Sequence, residues 1–167
     1  NTWYEFRFRY ADNALFADFR ERGATEWRGD FLLYSSPVSR PERLRIGQPD
    51  IAIQKSDTVT TTLLLDEMSL NEGVVSEEAL NEDSFNQTVI DGTKWRKTTT
   101  VFTGTDATVN ADGDGNLRIT NRFDGYLGSK ERYVAQGFVE TEDRLPTNPW
   151  VFHTRVKFSS TWVGSDS

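Results

Sequence analysis

Residues 150–158 read WVFHTRVKF, and this stretch has the pattern of a half-buried β-strand. Large apolar residues alternate with polar ones from Trp150 to Phe158. Successive side chains of a strand point to opposite faces, so the pattern predicts one buried side and one side facing solvent. Residues 4–10, YEFRFRY, alternate in the same way and predict a second such strand.

Most of the remaining chain also favours β-structure. Residues 50–54 (DIAIQ) and 58–65 (TVTTTLLL) are rich in β-branched side chains, which are typical of strands. Two Asp-Gly pairs within residues 109–121, VNADGDGNLRITN, predict a hairpin. The predicted fold class is therefore all-β, with a small N-terminal β unit followed by part of a β-sandwich.

One short helix is expected inside the first unit. In residues 13–23, NALFADFRERG, Leu15 and Phe19 would share a helical face and Gly23 would end the helix.

The alternating runs also predict a core, because their apolar sides must be buried somewhere. The residues expected to be buried are Phe6, Phe8, Trp95, Leu117, Ile119, Phe152, Val156 and Phe158.

Composition limits the classes of function. The chain of 167 residues has no cysteine and one histidine, which excludes disulfides and thiolate metal sites and leaves little scope for imidazole chemistry. A net charge of −7 argues against nucleic acid as a partner, since phosphate binding needs a cationic surface. No apolar run approaches the roughly 20 residues of a membrane-spanning helix. We expect neither nucleic acid nor membrane as a partner.

Charge and local amino-acid composition divide the chain into three segments. Arginines cluster between residues 6 and 45, and acidic residues between 66 and 83. This distribution predicts a β-rich unit over residues 1–65, an acidic linker over 66–82 and a second domain over 83–167. The cations and acids could pair with each other or with neighbouring subunits, or they could form solvated faces.

Four stretches in the second domain, residues 83–167, carry a resemblance to a known family. They are DSFNQTVIDGTKW (83–95), DGNLRIT (114–120), YLGSKERY (126–133) and WVFHTRVKF (150–158). In this order they resemble the first half of a concanavalin A-like lectin/glucanase domain, the outline shared by laminin G-like jelly rolls and family 16 glycoside hydrolases. The resemblance covers about residues 82–167 and implies a jelly roll whose remaining strands lie outside this chain.

Catalytic candidates in the sequence are few. Family 16 enzymes carry paired glutamates on one strand, and here Glu140 and Glu142 share a face by period two. Asp143 is out of phase with them and Pro146 follows closely, so a polar strand face is the preferred interpretation. His153 has no evident partner in the sequence. We therefore expect this chain not to be an enzyme.

A calcium site is one interpretation of the hairpin. Asn110, Asp112, Asp114 and Asn116 stand at alternate positions, with Gly115 sixth, as in the front of an EF-hand loop. The twelfth position is Asn121 rather than glutamate, and an Asp-Gly hairpin explains the same letters without metal. No other cofactor is expected.

Glycan binding would use an exposed aromatic platform with nearby amide groups. The candidates are Tyr126, Asn148, Trp150 and Trp162, around the PTNPW loop. Core packing is the alternative for Trp150, because it begins an alternating aromatic strand.

The function predicted from these observations is that of a non-catalytic structural or adhesive module in a larger surface assembly. Examples are a phage tail or capsid-fibre protein on a virion surface, or an extracellular adhesin. Its partners would be other protein subunits, with surface glycans as a further partner, and we expect an oligomer. The alternatives are a fragment of a family 16-like endoglucanase whose catalytic strand follows residue 167, and a free lectin-type carbohydrate-binding module.

Overall fold

Strands make up all the regular structure in the described part of the chain. The computed structural model describes residues 2–35, 42–47, 58–72, 79–101, 105–124 and 135–163. Its strands are β1 (Tyr4–Ala11), β2 (Ala14–Glu21), β3 (Arg28–Ser35), β4 (Arg45–Gly47), β5 (Thr58–Glu72), β6 (Ala79–Asp83), β7 (Trp95–Val101), β8 (Thr105–Ala111), β9 (Leu117–Asp124), β10 (Ala135–Thr141) and β11 (Trp150–Val163). The predicted all-β class is confirmed. No helix within these ranges is long and apolar enough to cross a membrane.

The strands form two antiparallel sheets that make a β-sandwich. The large sheet has the order β3-β2-β1-β11-β5-β9-β8, and β6 also pairs with β5. The small sheet has the order β4-β10-β7. It packs closely against β8 and β9: a Cβ on Gly137 of β10 would lie 2.9 Å from Cγ2 of Ile119 and 3.0 Å from Cγ2 of Val109. The small sheet therefore covers one end of the large one.

The predicted division into two units is wrong, because strands from both halves interleave in the large sheet. β1 pairs with β11, with Tyr4 opposite Val156 and Tyr10 opposite Trp150. β5 lies between β11 and β9. The predicted linker begins inside β5, whose residues 66–72 pair with β11 and β6. Asp66, Glu67 and Glu72 of the predicted linker lie instead on this central strand.

The stretch at residues 83–95 is a loop inside this fold rather than the start of a new domain. Phe85 and Trp95 are both buried, with ring centroids 6.5 Å apart. Asp83 holds the loop in place: its carboxylate accepts hydrogen bonds from the backbone N–H of Phe85 at 2.9 Å and from Nε1 of Trp95 at 3.1 Å. The loop therefore anchors two aromatic side chains in the shared core.

A β-bulge in β5 keeps that long strand in the core. The pairing of β5 with β11 shifts between His153 and Arg155, where β5 carries one extra residue. Glu67 has φ 48° at this point. Because the bulge changes the alternation, Leu65 before it and Met68 after it are both fully buried. β5 therefore contributes buried side chains both before and after the acidic pair Asp66 and Glu67.

The helix predicted over residues 13–23 is wrong, since this segment is mainly β2. Asp12 and Asn13 have φ 52° and 60°, and they form a two-residue hairpin between the paired residues Ala11 and Ala14. Positive φ at both central residues is the geometry of a type I′ turn, which Asn and Asp tolerate. Leu15 and Phe19 then share a strand face, because they are four residues apart and also satisfy period two.

The core prediction is confirmed in part. Trp95, Leu117, Ile119 and Phe152 are buried. Phe6, Phe8 and Val156 are half-buried, and Phe158 is 56% exposed, so its predicted burial is wrong. β1 ends its pairing with β11 at Val156. Phe158 lies beyond that point, so β1 does not extend alongside it.

Phe152 and Phe158 provide a matched pair for testing this core. Replacing Phe152 with Ala should lower the free energy of unfolding by about 3–5 kcal/mol, because the ring is fully buried. Phe158→Ala should cost less than about 1 kcal/mol, since more than half of its surface already faces solvent. Urea denaturation of both variants measures the difference; equal losses would contradict the burial of Phe152.

Candidate functional site

Of the four residues predicted to form a glycan platform, the structure describes the side chains of Trp150 and Asn148. Trp150 is 1% exposed and its ring stacks on Tyr10 with centroids 5.6 Å apart, so it cannot present a face to a ligand. Asn148 is exposed, and its Nδ2 donates a hydrogen bond to Oε1 of Glu72 at 2.6 Å. Tyr126 and the side chain of Trp162 lie outside the described residues. The alternative of core packing is correct for Trp150.

The four residues of the predicted calcium site belong to the β8–β9 hairpin. Asn110 lies on β8 opposite Arg118, and Asp112 begins the connection. The Asp112 carboxylate accepts hydrogen bonds from the backbone N–H groups of Asp114 and Asn116, at 2.9 and 3.0 Å, and from Nδ2 of Asn116 at 3.0 Å. Its acceptor capacity therefore stabilises a turn. In the described ranges no cluster of three or more histidine and carboxylate side chains is placed to hold a metal.

Glu140 is held by a cross-strand ion-pair network. Its carboxylate lies 2.8 Å from Nη2 of Arg45 on β4 and 2.7 Å from Nη2 of Arg96 on β7. The hydrogen bond from Arg45, with that from Arg96, keeps the pKa of the Glu140 carboxyl below its usual range despite burial. Glu142 is 3.9 Å from Nε of Arg96. Glu140 therefore ties the three strands of the small sheet together.

The first three strands carry an arginine network centred on a buried carboxylate. Asp18 on β2 accepts hydrogen bonds from Nε of Arg7 at 2.9 Å, from Nε of Arg9 at 3.0 Å and from the backbone N–H of Asp30 at 2.8 Å. Burial alone would raise the pKa of the Asp18 carboxyl, but the hydrogen bonds from Arg9, Arg7 and Asp30 outweigh it and the pKa is lowered. Asp18 is thus a fixed anion that positions two guanidinium groups.

Trp27 lies beside this network at the end of the β2–β3 connection. The guanidinium carbons of Arg7 and Arg20 are each 4.5 Å from the centre of its ring. His153 of β11 approaches the same ring at 6.3 Å in an edge-on orientation. At 4.5 Å the two arginines make cation–π contacts with the Trp27 ring. The cluster joins three neighbouring strands with one aromatic side chain.

These side chains line a polar pocket of about 360 Å³. We call it the Trp27 pocket; its lining residues are Glu5, Phe6, Arg7, Arg20, Trp27, Glu67, His153, Thr154 and Arg155. Its volume lies within the roughly 300–1,000 Å³ typical of small-molecule sites. Arg155 forms ion pairs with Glu67 and, at 3.6 Å, with Asp66 and Glu5. The floor of the Trp27 pocket is therefore a set of paired charges on a rigid sheet.

Burial and two guanidinium charges act on His153 in this pocket. Burial, followed by the charges of Arg7 and Arg20, lowers the pKa of the imidazole, while Glu5 opposes them. Two further charged groups, Glu67 of β5 and Arg155 of β11, line the same pocket. The surroundings of His153 therefore favour the neutral imidazole.

The face of β1, β2 and β3 opposite the arginine network is apolar and incompletely covered. Phe6 stacks on Phe19 at 6.0 Å, and Phe19 on Phe31 at 6.3 Å. β3 is the last strand on this side of the sheet within the described residues. Phe31, Leu32 and Leu33 on β3 are 54%, 59% and 54% exposed. Phe31 pairs with Ala17 and continues the aromatic face, whereas Leu32 pairs with Phe16 and lies on the face of Asp18. We call the aromatic face, with the exposed residues 31–33 beside it, the β3 apolar surface.

Sequence reasoning did not identify either surface. Alternation in residues 4–10 correctly placed Arg7 opposite the aromatic face. Trp27, however, lies in a connection without periodicity, and its meeting with His153 depends on the β1–β11 pairing. The exposed run at residues 31–33 has no sequence signal of its position, since the sequence does not show which strands lie at a sheet edge.

Comparison with known proteins assigns no family: no family model and no curated protein matches this chain. The resemblance to concanavalin A-like domains accordingly stays a prediction.

Substitution of Asp18 tests the arginine network. Asp18→Asn should lower the free energy of unfolding at pH 7 by about 2 kcal/mol, because it removes a buried acceptor of charged hydrogen bonds. The folded pKa is depressed, so the difference from the wild type is complete above the unfolded pKa near about 3.9 and is lost as pH falls through the folded pKa. Asp143→Asn, at an exposed position, is the control. Urea denaturation from pH 7 to 3 measures both, and a pH-independent difference would contradict the account.

The single histidine allows a direct test of the Trp27 pocket. His153 should titrate below about 6.5, the value expected for an unperturbed imidazole. Because the folded pKa is lowered, the unfolded chain takes up the proton first, and stability should decline as pH falls below about 6.5. The Cε1 proton resonance reports the titration. A pKa at or above that of a model peptide would contradict the described burial.

Proposed function

We propose that this chain is a non-catalytic structural module that associates with other protein subunits in a larger surface assembly, as in a phage tail, a capsid fibre or an extracellular adhesin. The observation that carries the proposal is the exposed apolar run Phe31–Leu33 on β3, the edge strand of the sheet within the described residues. Soluble proteins normally protect sheet edges with charges, proline or short strands, because free backbone groups and apolar side chains promote pairing with another chain.

The surroundings of this run support a subunit contact. The apolar surface continues from β3 across Phe19 to Phe6 on β1, so a partner would find a row of rings beside the strand edge. Tyr4 and Phe158 are also exposed large apolar residues. A contiguous apolar surface of this kind is characteristic of interaction sites, whereas singly scattered apolar residues are normal.

A rigid sheet supports this role. Interface residues placed on strands lose little conformational freedom on association, since their backbone is already fixed by pairing with β2. The arginine network beneath β1 and β2 holds these strands from the other face through Asp18. A specific contact would bury more than about 1,000 Å² in total.

Charge substitution at the edge tests the association. Leu32→Lys should weaken self-association of the purified chain by roughly tenfold or more, because a lysine on the edge disfavours strand pairing and apolar burial. Val89→Lys is the matched control: Val89 is 72% exposed but lies in the loop between β6 and β7. Sedimentation velocity over a range of concentrations measures both variants and the wild type.

Two results would contradict this function. The first is a wild-type chain that remains monomeric at every concentration. The second is hydrolysis of β-glucans or related polysaccharides by the same purified sample, which would favour the endoglucanase alternative.

A further inference from the structure

We propose that the Trp27 pocket is a binding site for a small organic oxyanion, a carboxylate or phosphate group carried on a ring-sized molecule. It lies on the polar face of the β1–β2–β11 region, opposite the β3 apolar surface, and does not depend on the proposed association. The argument rests on hydrogen-bond donors without partners, on the pocket's shape and on the fixed position of its cations.

Two guanidinium groups in the pocket have donors to spare. Arg7 uses Nε to bind Asp18, and Arg20 uses Nε to bind Glu5. Among the described residues, neither arginine has a hydrogen-bond partner at its Nη groups. Guanidinium edges with free N–H groups bind carboxylate and phosphate oxygens in a bidentate manner. The donors of Arg7 and Arg20 therefore match an oxyanion.

These donors are already held in position. Both guanidinium groups contact the Trp27 ring, with their central carbons 4.5 Å from its centre, and Asp18 and Glu5 hold their Nε ends. A ligand would thus lose little affinity to the ordering of long side chains, which normally weakens arginine contacts at surfaces. This arrangement distinguishes the pair from exposed arginines such as Arg22.

His153 adds a further donor or acceptor. Its ring nitrogens have no hydrogen-bond partner among the described residues, although the side chain is half-buried. Arg7 and Arg20 lower the pKa of the imidazole while Glu5 raises it, so an anion bound beside the two arginines would favour the imidazolium form.

The carboxylates of the Trp27 pocket limit the negative charge expected on the ligand. Glu5 is paired with Arg20 and Arg155, and Glu67 with Arg155. Their negative charges are compensated, but they would disfavour a second anionic group on the ligand. A volume of about 360 Å³ is more than a bare ion fills. We therefore expect one anionic group on a body that can lie against Trp27.

The sole histidine makes this site directly measurable. The full chain is titrated with four probes: glucuronate, glucose 6-phosphate, inorganic phosphate and, as the neutral control, glucose. The Cε1 proton shift of His153 is followed as a function of pH. Glucuronate or glucose 6-phosphate should bind saturably and raise the pKa of His153, because a nearby anion favours the imidazolium form. Glucose should leave that pKa unchanged.

The four probes separate the sources of the oxyanion. A shift with glucuronate alone assigns a carboxylate ligand, and a shift with both phosphates assigns a phosphate ligand. Failure of all three anions at millimolar concentration to move the His153 resonance would overturn the site. Equal shifts with glucose and glucuronate would overturn its anionic character.

Variants connect the binding to the arginine pair. Arg20→Gln should weaken binding by roughly tenfold or more, because it removes a charged donor. Arg22→Gln, two residues away at the start of the β2–β3 connection and outside the pocket, should bind as the wild type does. If Arg20→Gln does not fold, Trp27→Ala provides the test, since Trp27 lies outside the core and its loss should weaken binding to a similar degree. Unchanged affinity in whichever of these two variants folds would contradict the proposal.

Discussion

The pairing of β5 with β11 is the constraint on which the rest of the structure depends. The two strands share thirteen residue pairs, from Trp150–Glu72 to Val163–Thr58. β11 binds β1 on its other edge, and β5 binds β9, so this pair joins the β1–β2–β3 extension to the covered half of the sandwich. Pairing residues so distant in sequence has a high cost in chain entropy, which burial of Leu65, Met68 and Phe152 must offset. The bulge at Glu67 lets both halves of β5 contribute to that burial.

The β1–β3 part of the large sheet has one apolar face and one charged face. On β1, strict alternation sends Phe6 and Phe8 to one side and Glu5 and Arg7 to the other. The small sheet packs over β8 and β9, so the apolar side of β1–β3 extends past it and remains partly exposed. On the polar side, Asp18 pairs with Arg7 and Arg9, and Glu5 pairs with Arg20. Arg7 and Arg20 also contact the ring of Trp27. Association and ligand binding would therefore occupy different faces of one rigid sheet.

Much of the strand content follows from the sequence, whereas its assembly does not. Period-two alternation identified β1 and β11, and the Asp-Gly pairs identified the β8–β9 hairpin, because these signals are local. Leu15 and Phe19 fit both a helix and a strand, and the Asp12–Asn13 turn decides between them. The acidic residues 66–72 resemble a linker by composition, but Asp66 and Glu67 contact Arg155, more than 80 residues later in the chain. Partners so distant cannot be read from a single sequence, and for the same reason the meeting of Trp27 with His153 was not foreseen.

The most direct test of this account is a disulfide cross-link between β5 and β11. The chain contains no cysteine, so Thr62→Cys with Ser159→Cys introduces one pair at directly opposed positions on the polar face. The account predicts that mild oxidation of the folded chain removes both free thiols within one molecule. Thr62→Cys with Val163→Cys, whose partner in the sheet is Thr58, should stay reduced. Retention of free thiols in the opposed pair, or equal oxidation of both pairs, would contradict a sheet in which the two halves of the chain interleave.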